Sequence, residues 1–384
     1  MFKRIYLDFN ATSPLLPSVC QAMSDAADIF GNPSSIHEEG RKARAQIEKS
    51  RQNMANMLGV NPYRITFTSG GSEANALACA DHGRLSEDAI LFVGATEHAS
   101  VREAYRQTTP HWIPVSSEGI IDILWLNDAL RDARQVAPHG TIRVAIQLAN
   151  SETGVIQPLA TIAQCVHQHG AWLHCDAVQA LGKIPLCLSS LGADSYAFSA
   201  HKIGGPKGIG ALIFSTESAQ KQCHSFMRAG GQERGYRGGT ENIGGIIGFS
   251  HALTYAKHQW PENRETIQTL RNTFETFLKD TFRSVHIAGE NAPRLPNTSL
   301  FLIPPIPSHT LLMALDLKGF ALSSGSACSS GTVKDSAVLT AMGYDAQLRK
   351  NALRLSLGPT TTHEEILRLQ SALLECTTLF KIQE

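Results

Sequence analysis

A single lysine, Lys202, follows the polar cluster Ser199-Ala200-His201 and precedes the glycine-rich loop Ile203-Gly204-Gly205-Pro206-Lys207-Gly208. A lysine so placed can hold an aldehyde cofactor as a Schiff base and then act as acid or base. It needs burial or nearby cations to bring its amine below the ordinary ~10.4. Ser199 and His201 beside it carry chemistry suited to a phosphate. A second group, His174-Cys175-Asp176-Ala177-Val178-Gln179, ends a strand-like run. Strand alternation puts His174 and Asp176 on one face and Cys175 on the other, so the three cannot converge on a metal. A carboxylate at such a strand end can instead pair with a protonated pyridine nitrogen, the tuning that proteins supply to pyridoxal phosphate.

Further segments add to these. In Phe67-Thr68-Ser69-Gly70-Gly71-Ser72-Glu73 a strand ends, two glycines turn the chain and a helix begins. Free N–H groups at that helix start, with Gly71 and the Ser72 hydroxyl, suit a phosphate, although a plain N-cap serine has the same pattern. His98, in Thr96-Glu97-His98, follows another strand, where an imidazole can stack on a flat ring or simply start a helix. Cys328 lies in a run of Ser, Gly and Ala, and the same flanks suit an exposed nucleophile or an inert thiol. Arg354, opposed to leucines in Asn351 to Gly358, matches a substrate carboxylate or a surface ion pair.

These residues need elements to hold them. The pattern predicts a helix over Glu38–Leu58 closed by Gly59. It predicts strands near residues 64–68, 89–93, 144–148, 171–176 and 209–214. Helical stretches between them give an α/β fold with a largely parallel sheet between helices. Beyond about residue 250 a polar helix is expected from about Pro261 to Phe282, and a last helix over Thr362–Phe380 opened by a Thr362/Glu365 capping box. A smaller α+β domain is therefore expected from residues 1–15 and 256–384, beside a large domain over 16–255.

The chain has 384 residues, with Lys+Arg and Asp+Glu both 34 and a formal net charge of zero. No basic run points to nucleic acid and no apolar window approaches a membrane span. The N-terminus turns polar too early for a secretory signal, and eight cysteines without CxxC spacing fit a reducing compartment. The expectation is a cytoplasmic protein without a metal.

Taken in order, Tyr6-Leu7-Asp8-Phe9-Asn10-Ala11-Thr12, Gly31-Asn32-Pro33-Ser34-Ser35, Thr68 to Glu73, Thr96-Glu97-His98, Ser199 to Lys202, Gly230 to Gly235, Arg237 to Thr240, Ser323 to Cys328 and Leu355 to Gly358 resemble the NifS/IscS-type cysteine desulfurases. These belong to the fold-type I, class V aminotransferase group of pyridoxal 5′-phosphate enzymes. The resemblance implies that Lys202 carries the cofactor, Asp176 pairs with the pyridine nitrogen and Gln179 bonds the ring hydroxyl. His98 would stack on the ring and shuttle protons. Gly71, Ser72, Ser199 and His201 would hold the phosphate, with Thr240 supplied by the other subunit of a homodimer. Arg354 and Asn150 would meet the substrate, L-cysteine, whose sulfur would pass to Cys328 as a persulfide and then to an acceptor or scaffold protein. Ser151 stands where relatives usually have a cofactor-contacting asparagine, Gly204 where a tyrosine is frequent, and Gly71 where alanine is frequent. A selenocysteine lyase, another class V aminotransferase and a non-catalytic homologue remain the alternatives.

Overall fold

The computed structural model describes residues 4–79, 89–104, 109–225, 227, 229–324 and 335–379. Cys328 and Phe380 lie outside the described residues. Twelve strands are present among them: β1 (Ile5–Tyr6), β2 (Ile65–Thr68), β3 (Ile90–Gly94), β4 (His111–Ile113), β5 (Ile142–Gln147), β6 (Trp172–Asp176), β7 (Ser195–Ser199), β8 (Gly210–Phe214), β9 (His286–Ile287), β10 (Thr298–Leu302), β11 (Phe320–Ala321) and β12 (Ala352–Ser356). Seven form one sheet in the order β2-β8-β7-β6-β5-β3-β4. Its neighbours from β7 through β4 are parallel, while β8 runs antiparallel to both β7 and β2.

Strand alternation sorts the side chains to two faces. Phe92, Leu173 and Cys175 join a core with Ile47, Met54 and Phe67 on one side. Leu91, Val93, Trp172, Leu212 and Phe214 pack with Ala74 and Leu77 on the other. His174 shares the second face, its ring parallel to that of Trp172. The mostly parallel sheet between helices thus forms as its alternating apolar residues require.

Helix Glu38–Leu58 ends at Gly59, whose φ of 69° supplies the left-handed cap. The polar helix expected from Pro261 instead begins at Ile243 and runs unbroken to Thr281. The reason lies in packing: Ile246, Phe249, Ala252 and Leu253 join the first core, and Ile267, Leu270, Phe274 and Leu278 a separate one. That separate core also holds Ile5, Leu7, Phe301, Leu353, Leu355, Leu369 and Leu373. Its sheet runs β12-β10-β9, antiparallel throughout, and β1 pairs with β11 beside it. The last helix, His363–Leu379, opens with the expected reciprocal bonds between Thr362 and Glu365.

One buried ion pair holds a strained turn. Glu233 and Arg234 both adopt positive φ, 45° and 57°, costly for residues with a Cβ. The Glu233 carboxylate accepts both guanidinium nitrogens of Arg51 (2.7 and 2.8 Å) and the Phe67 N–H (2.7 Å). Both side chains are about 2% exposed, so neither charge has water as an alternative. Arg51→Met is expected to cost about 3–5 kcal/mol, the scale for stranding a buried charge. The denaturation midpoint should fall accordingly, and Arg51→Met/Glu233→Gln should cost less than the sum of the singles.

Candidate active site

Parallel strands bring their C-terminal ends to one edge, and the chemically capable residues gather there. Asp176 is the last residue of β6, and Lys202 sits in the single 3₁₀ turn Ala200–Ile203 directly after β7. His98 caps a short helix after β3, and Asn150 to Glu152 follow β5.

Asn10, assigned no role from the sequence, is the node of this edge. Its backbone oxygen accepts from Lys202 Nζ (2.7 Å) and Gln179 Nε2 (2.9 Å). Its Oδ1 accepts from Lys183 Nζ (2.8 Å) and Asn297 Nδ2 (3.1 Å). Its Nδ2 donates to the Ser151 carbonyl (3.1 Å) and to Thr298 Oγ1 (2.8 Å). Lys202 Nζ also donates to the Ala11 carbonyl at 2.9 Å. Ser151 therefore contributes its backbone here. The same carbonyl accepts from Arg354 (3.0 Å), whose other nitrogen is 2.6 Å from Asp8 Oδ1. Asn150 is buried and folds its own loop, its Oδ1 accepting the N–H groups of Glu152 and Thr153, both at 2.9 Å.

Lys183 is a second lysine in the cluster, 5% exposed and bonded to Gln179 Oε1 as well as to Asn10. Burial, then the Lys202 and Arg354 cations, push its amine well below the ordinary lysine range. His201, bonded through Nδ1 to Thr12 Oγ1 (3.1 Å), is lowered to about 4 by burial and by Lys202, Lys207 and Lys183. Burial also raises the carboxyl of Glu97 well above its usual range, with the Asp176 charge adding to it.

His174 is fully buried and lowered to about 3 by burial and by Arg143. It is neutral in the fold but ionises near 6.5 once exposed, so protons favour the unfolded chain below that pH. Its contribution to stability is therefore eroded as pH falls from about 6.5 toward 3. His174→Gln should flatten that acid limb in denaturant titrations run across the range.

The helix Gly71–Cys79 starts beside β7. A Cβ on Gly71 would lie 2.6 Å from Val178 Cγ2 and 3.4 Å from Ser199 Cβ, so Val178 fills the space an alanine would use. Gly71 and Ser199 are buried and Ser72 is exposed with its hydroxyl at the helix start. At Gly204, φ is +79° and Leu16 Cγ occupies the position of a side chain 2.6 Å away, so the turn is packed rather than loosened. Thr240 is exposed in the segment leading to helix Ile243–Thr281, and Arg237 of that segment pairs with Glu73 at 3.0 Å.

Of the residues singled out from the sequence, Lys202, Gln179, Ser151 and Arg354 are joined through Asn10 and its partners, while Asp176 is held separately by Asn75 and the Val178 N–H. The sequence reading missed Asn10, Lys183, Asn75 and Asn297. Asn10 lay within a quoted segment, and Lys183 stands four residues after Gln179, the only signals that could have raised them.

Residues 5–369 match the family described as Aminotransferase class-V. A cysteine desulfurase IscS of Dictyoglomus turgidum is 34% identical over 95% of this chain and 92% of its own. A cysteine desulfurase of Enterobacter agglomerans is 37% identical over 95% and 90%. Among solved structures, a NifS-like protein from Rickettsia africae superposes with a TM-score of 0.86 at 34% identity, covering 98% of this chain and 99% of that one. The chain belongs to the class-V aminotransferase family, whose cofactor is pyridoxal 5′-phosphate.

Proposed function

We propose that this chain is a pyridoxal 5′-phosphate-dependent cysteine desulfurase, taking sulfur from L-cysteine, releasing L-alanine and holding the sulfur as a persulfide on Cys328. One observation carries the site assignment: the Lys202 amine and Arg354 share the Asn10–Ser151 backbone cluster at the sheet edge that ends in Asp176.

The donor set fits the cofactor. A buried carboxylate suits the pyridine nitrogen, an amine the aldehyde, and a helix N-terminus with Ser72, Ser199 and neutral His201 the phosphate. Asp176 is fixed for this by Asn75 Nδ2 (2.8 Å) and the Val178 N–H (3.0 Å). Gln179, held by Asn10 and Lys183, would bond the ring hydroxyl. When bound, the cofactor supplies an electron sink that labilises the substrate's Cα–H and C–S bonds.

Lys202 Nζ receives and returns the Cα proton. Arg354 holds the substrate carboxylate, which displaces Asp8 from one arm of the fork. The Cys328 thiolate attacks the substrate sulfur: an S–S bond forms, the C–S bond breaks and Cβ takes up a proton. The products are alanine and the persulfide. Cys328 lies outside the described residues, but both ends of its segment are tied to this site. Ser323 pairs with the Arg354 backbone (2.7 and 3.3 Å), and Ser336 Oγ donates to Glu152 Oε2 at 2.6 Å.

We place Thr240 of the partner subunit against the phosphate of a homodimer, and an acceptor protein at the persulfide. Eight cysteines without CxxC spacing support a reducing, cytoplasmic setting. No helix among the described residues is long and apolar enough to cross a membrane.

The reconstituted protein given L-cysteine and a thiol acceptor should release alanine and sulfide in equal amounts. Alanine without sulfide, or pyruvate instead, would contradict the reading. Arg354→Lys should raise KM for cysteine about 10–100-fold, with a smaller change in kcat, because a single ammonium loses the two-armed bond.

A further inference from the structure

Two ionisable groups at the sheet edge, Asp176 and His98, are joined through two uncharged side chains. Asn75, 1% exposed on the helix Gly71–Cys79, donates from Nδ2 to Asp176 Oδ2 at 2.8 Å and to Ser100 Oγ at 2.9 Å. Its Oδ1 lies 2.9 Å from His174 Nε2, whose Nδ1 is 2.7 Å from Ser195 Oγ. Ser100 Oγ is 2.8 Å from His98 Nδ1, and the Ser100 N–H donates to that same nitrogen at 3.1 Å.

Each direction in this chain follows from the one before. A carboxylate only accepts, so the amide nitrogen of Asn75 must face Asp176, and its oxygen must face His174. His174 therefore carries its proton on Nε2 and accepts the Ser195 hydroxyl at Nδ1. Ser100 Oγ takes an N–H from Asn75, and its own hydrogen is free to point at His98 Nδ1. The Ser100 backbone N–H cannot reverse. His98 Nδ1 thus accepts from that N–H, and a proton placed there would oppose it and break the cap of its own helix. Nε2 has no hydrogen-bond partner among the described residues.

We propose that Asn75 and Ser100 are positioning residues that hold His98 as a neutral ring with its proton on Nε2. His98 then serves the site as a hydrogen-bond donor and stacking face, not as a base. This rests on the proposed function and on the stacking of His98 on the cofactor ring that the family resemblance implies. Proton abstraction falls to Lys202, because with Nε2 already protonated a further proton would have to go to Nδ1, against the Ser100 N–H.

Two-bond proton–nitrogen correlation spectra of ¹⁵N-histidine-labelled protein, with and without cofactor, read the ring directly. The His98 signals are identified by their loss in His98→Gln. The expected pattern at neutral pH is a protonated Nε2 and an unprotonated Nδ1, with a larger share of the Nδ1-protonated tautomer in Ser100→Ala, which loses the hydroxyl donor and keeps the backbone one. A proton on Nδ1 or a charged ring in the parent protein would overturn the proposal, as would an unchanged spectrum in Ser100→Ala. Asn75→Ala, which frees the Ser100 hydroxyl to turn away, should move the same signals. The half-buried Ser100 keeps the test informative if the change at Asn75 unfolds the chain. In turnover, His98→Gln, which keeps an N–H donor but offers no base, should lose at least about tenfold less activity than His98→Ala, within the usual span for such groups. Equal losses would contradict the donor role. The spectra report on the ring whether or not the protein desulfurates cysteine, so failure here is separable from failure of the proposed function.

Discussion

Lys202→Ala is expected to lose alanine production by about 10²–10⁴-fold or more, the range for a positioned acid–base group, before its covalent role is added. The side chain has two tasks on the proposed pathway, anchoring the cofactor and moving the Cα proton, and no other amine among the described residues stands where it could take both. Lys183 is the only rival in the cluster among the described residues. Its Nζ is bound to two side-chain oxygens in a site 5% exposed, while Lys202 is half-buried and its Nζ bonds the backbone carbonyls of Asn10 and Ala11. Lys183→Met should therefore retain the covalently bound cofactor and the absorbance that reports it, and Lys202→Ala should lose both. A Lys202→Ala protein with undiminished turnover would remove the foundation of the mechanism.

Cys328→Ser should abolish persulfide formation and lower cysteine turnover by on the order of 10³-fold or more, the scale for a lost nucleophile. Cofactor binding should be unchanged, since no cofactor contact is assigned to this residue. The other cysteines are poor substitutes for physical reasons. Cys175 is pushed well up by burial, with the Asp176 and Glu97 charges adding to it, and Cys223 is pushed up to about 12 by burial. Cys187 is the acidic exception, lowered to about 7 by hydrogen bonds from Ser189 and Ser190, and it is exposed. Acidity alone does not make it the acceptor, because sulfur transfer needs the thiol at the substrate. Cys187→Ser should leave turnover unaltered, and mass spectrometry after cysteine treatment should find the added sulfur on the Cys328 peptide.

Much of the scaffold was legible because it rests on local rules. Alternation along Trp172–Asp176 put His174 and Asp176 on one face, and the Thr362/Glu365 pair marked a helix start three residues long. Only the second half of helix Ile243–Thr281 is legible in the sequence, because its two halves bury apolar residues in different cores, which no single periodic stripe displays. The site was legible only at its chemically conspicuous members. Asn10 bonds Thr298 and Lys183, 288 and 173 positions away, and Asn75 reaches Asp176 across 101. Such contacts leave no spacing to detect. A buried lysine without a carboxylate, like Lys183, is visible only once its neighbours are known.

Borohydride reduction of the cofactor-loaded protein, followed by peptide mass spectrometry, tests the central claim most directly. The account predicts a single reduced cofactor adduct on Nζ of Lys202, absent from the Lys202→Ala protein. An adduct on Lys183, or none on any lysine, would contradict it.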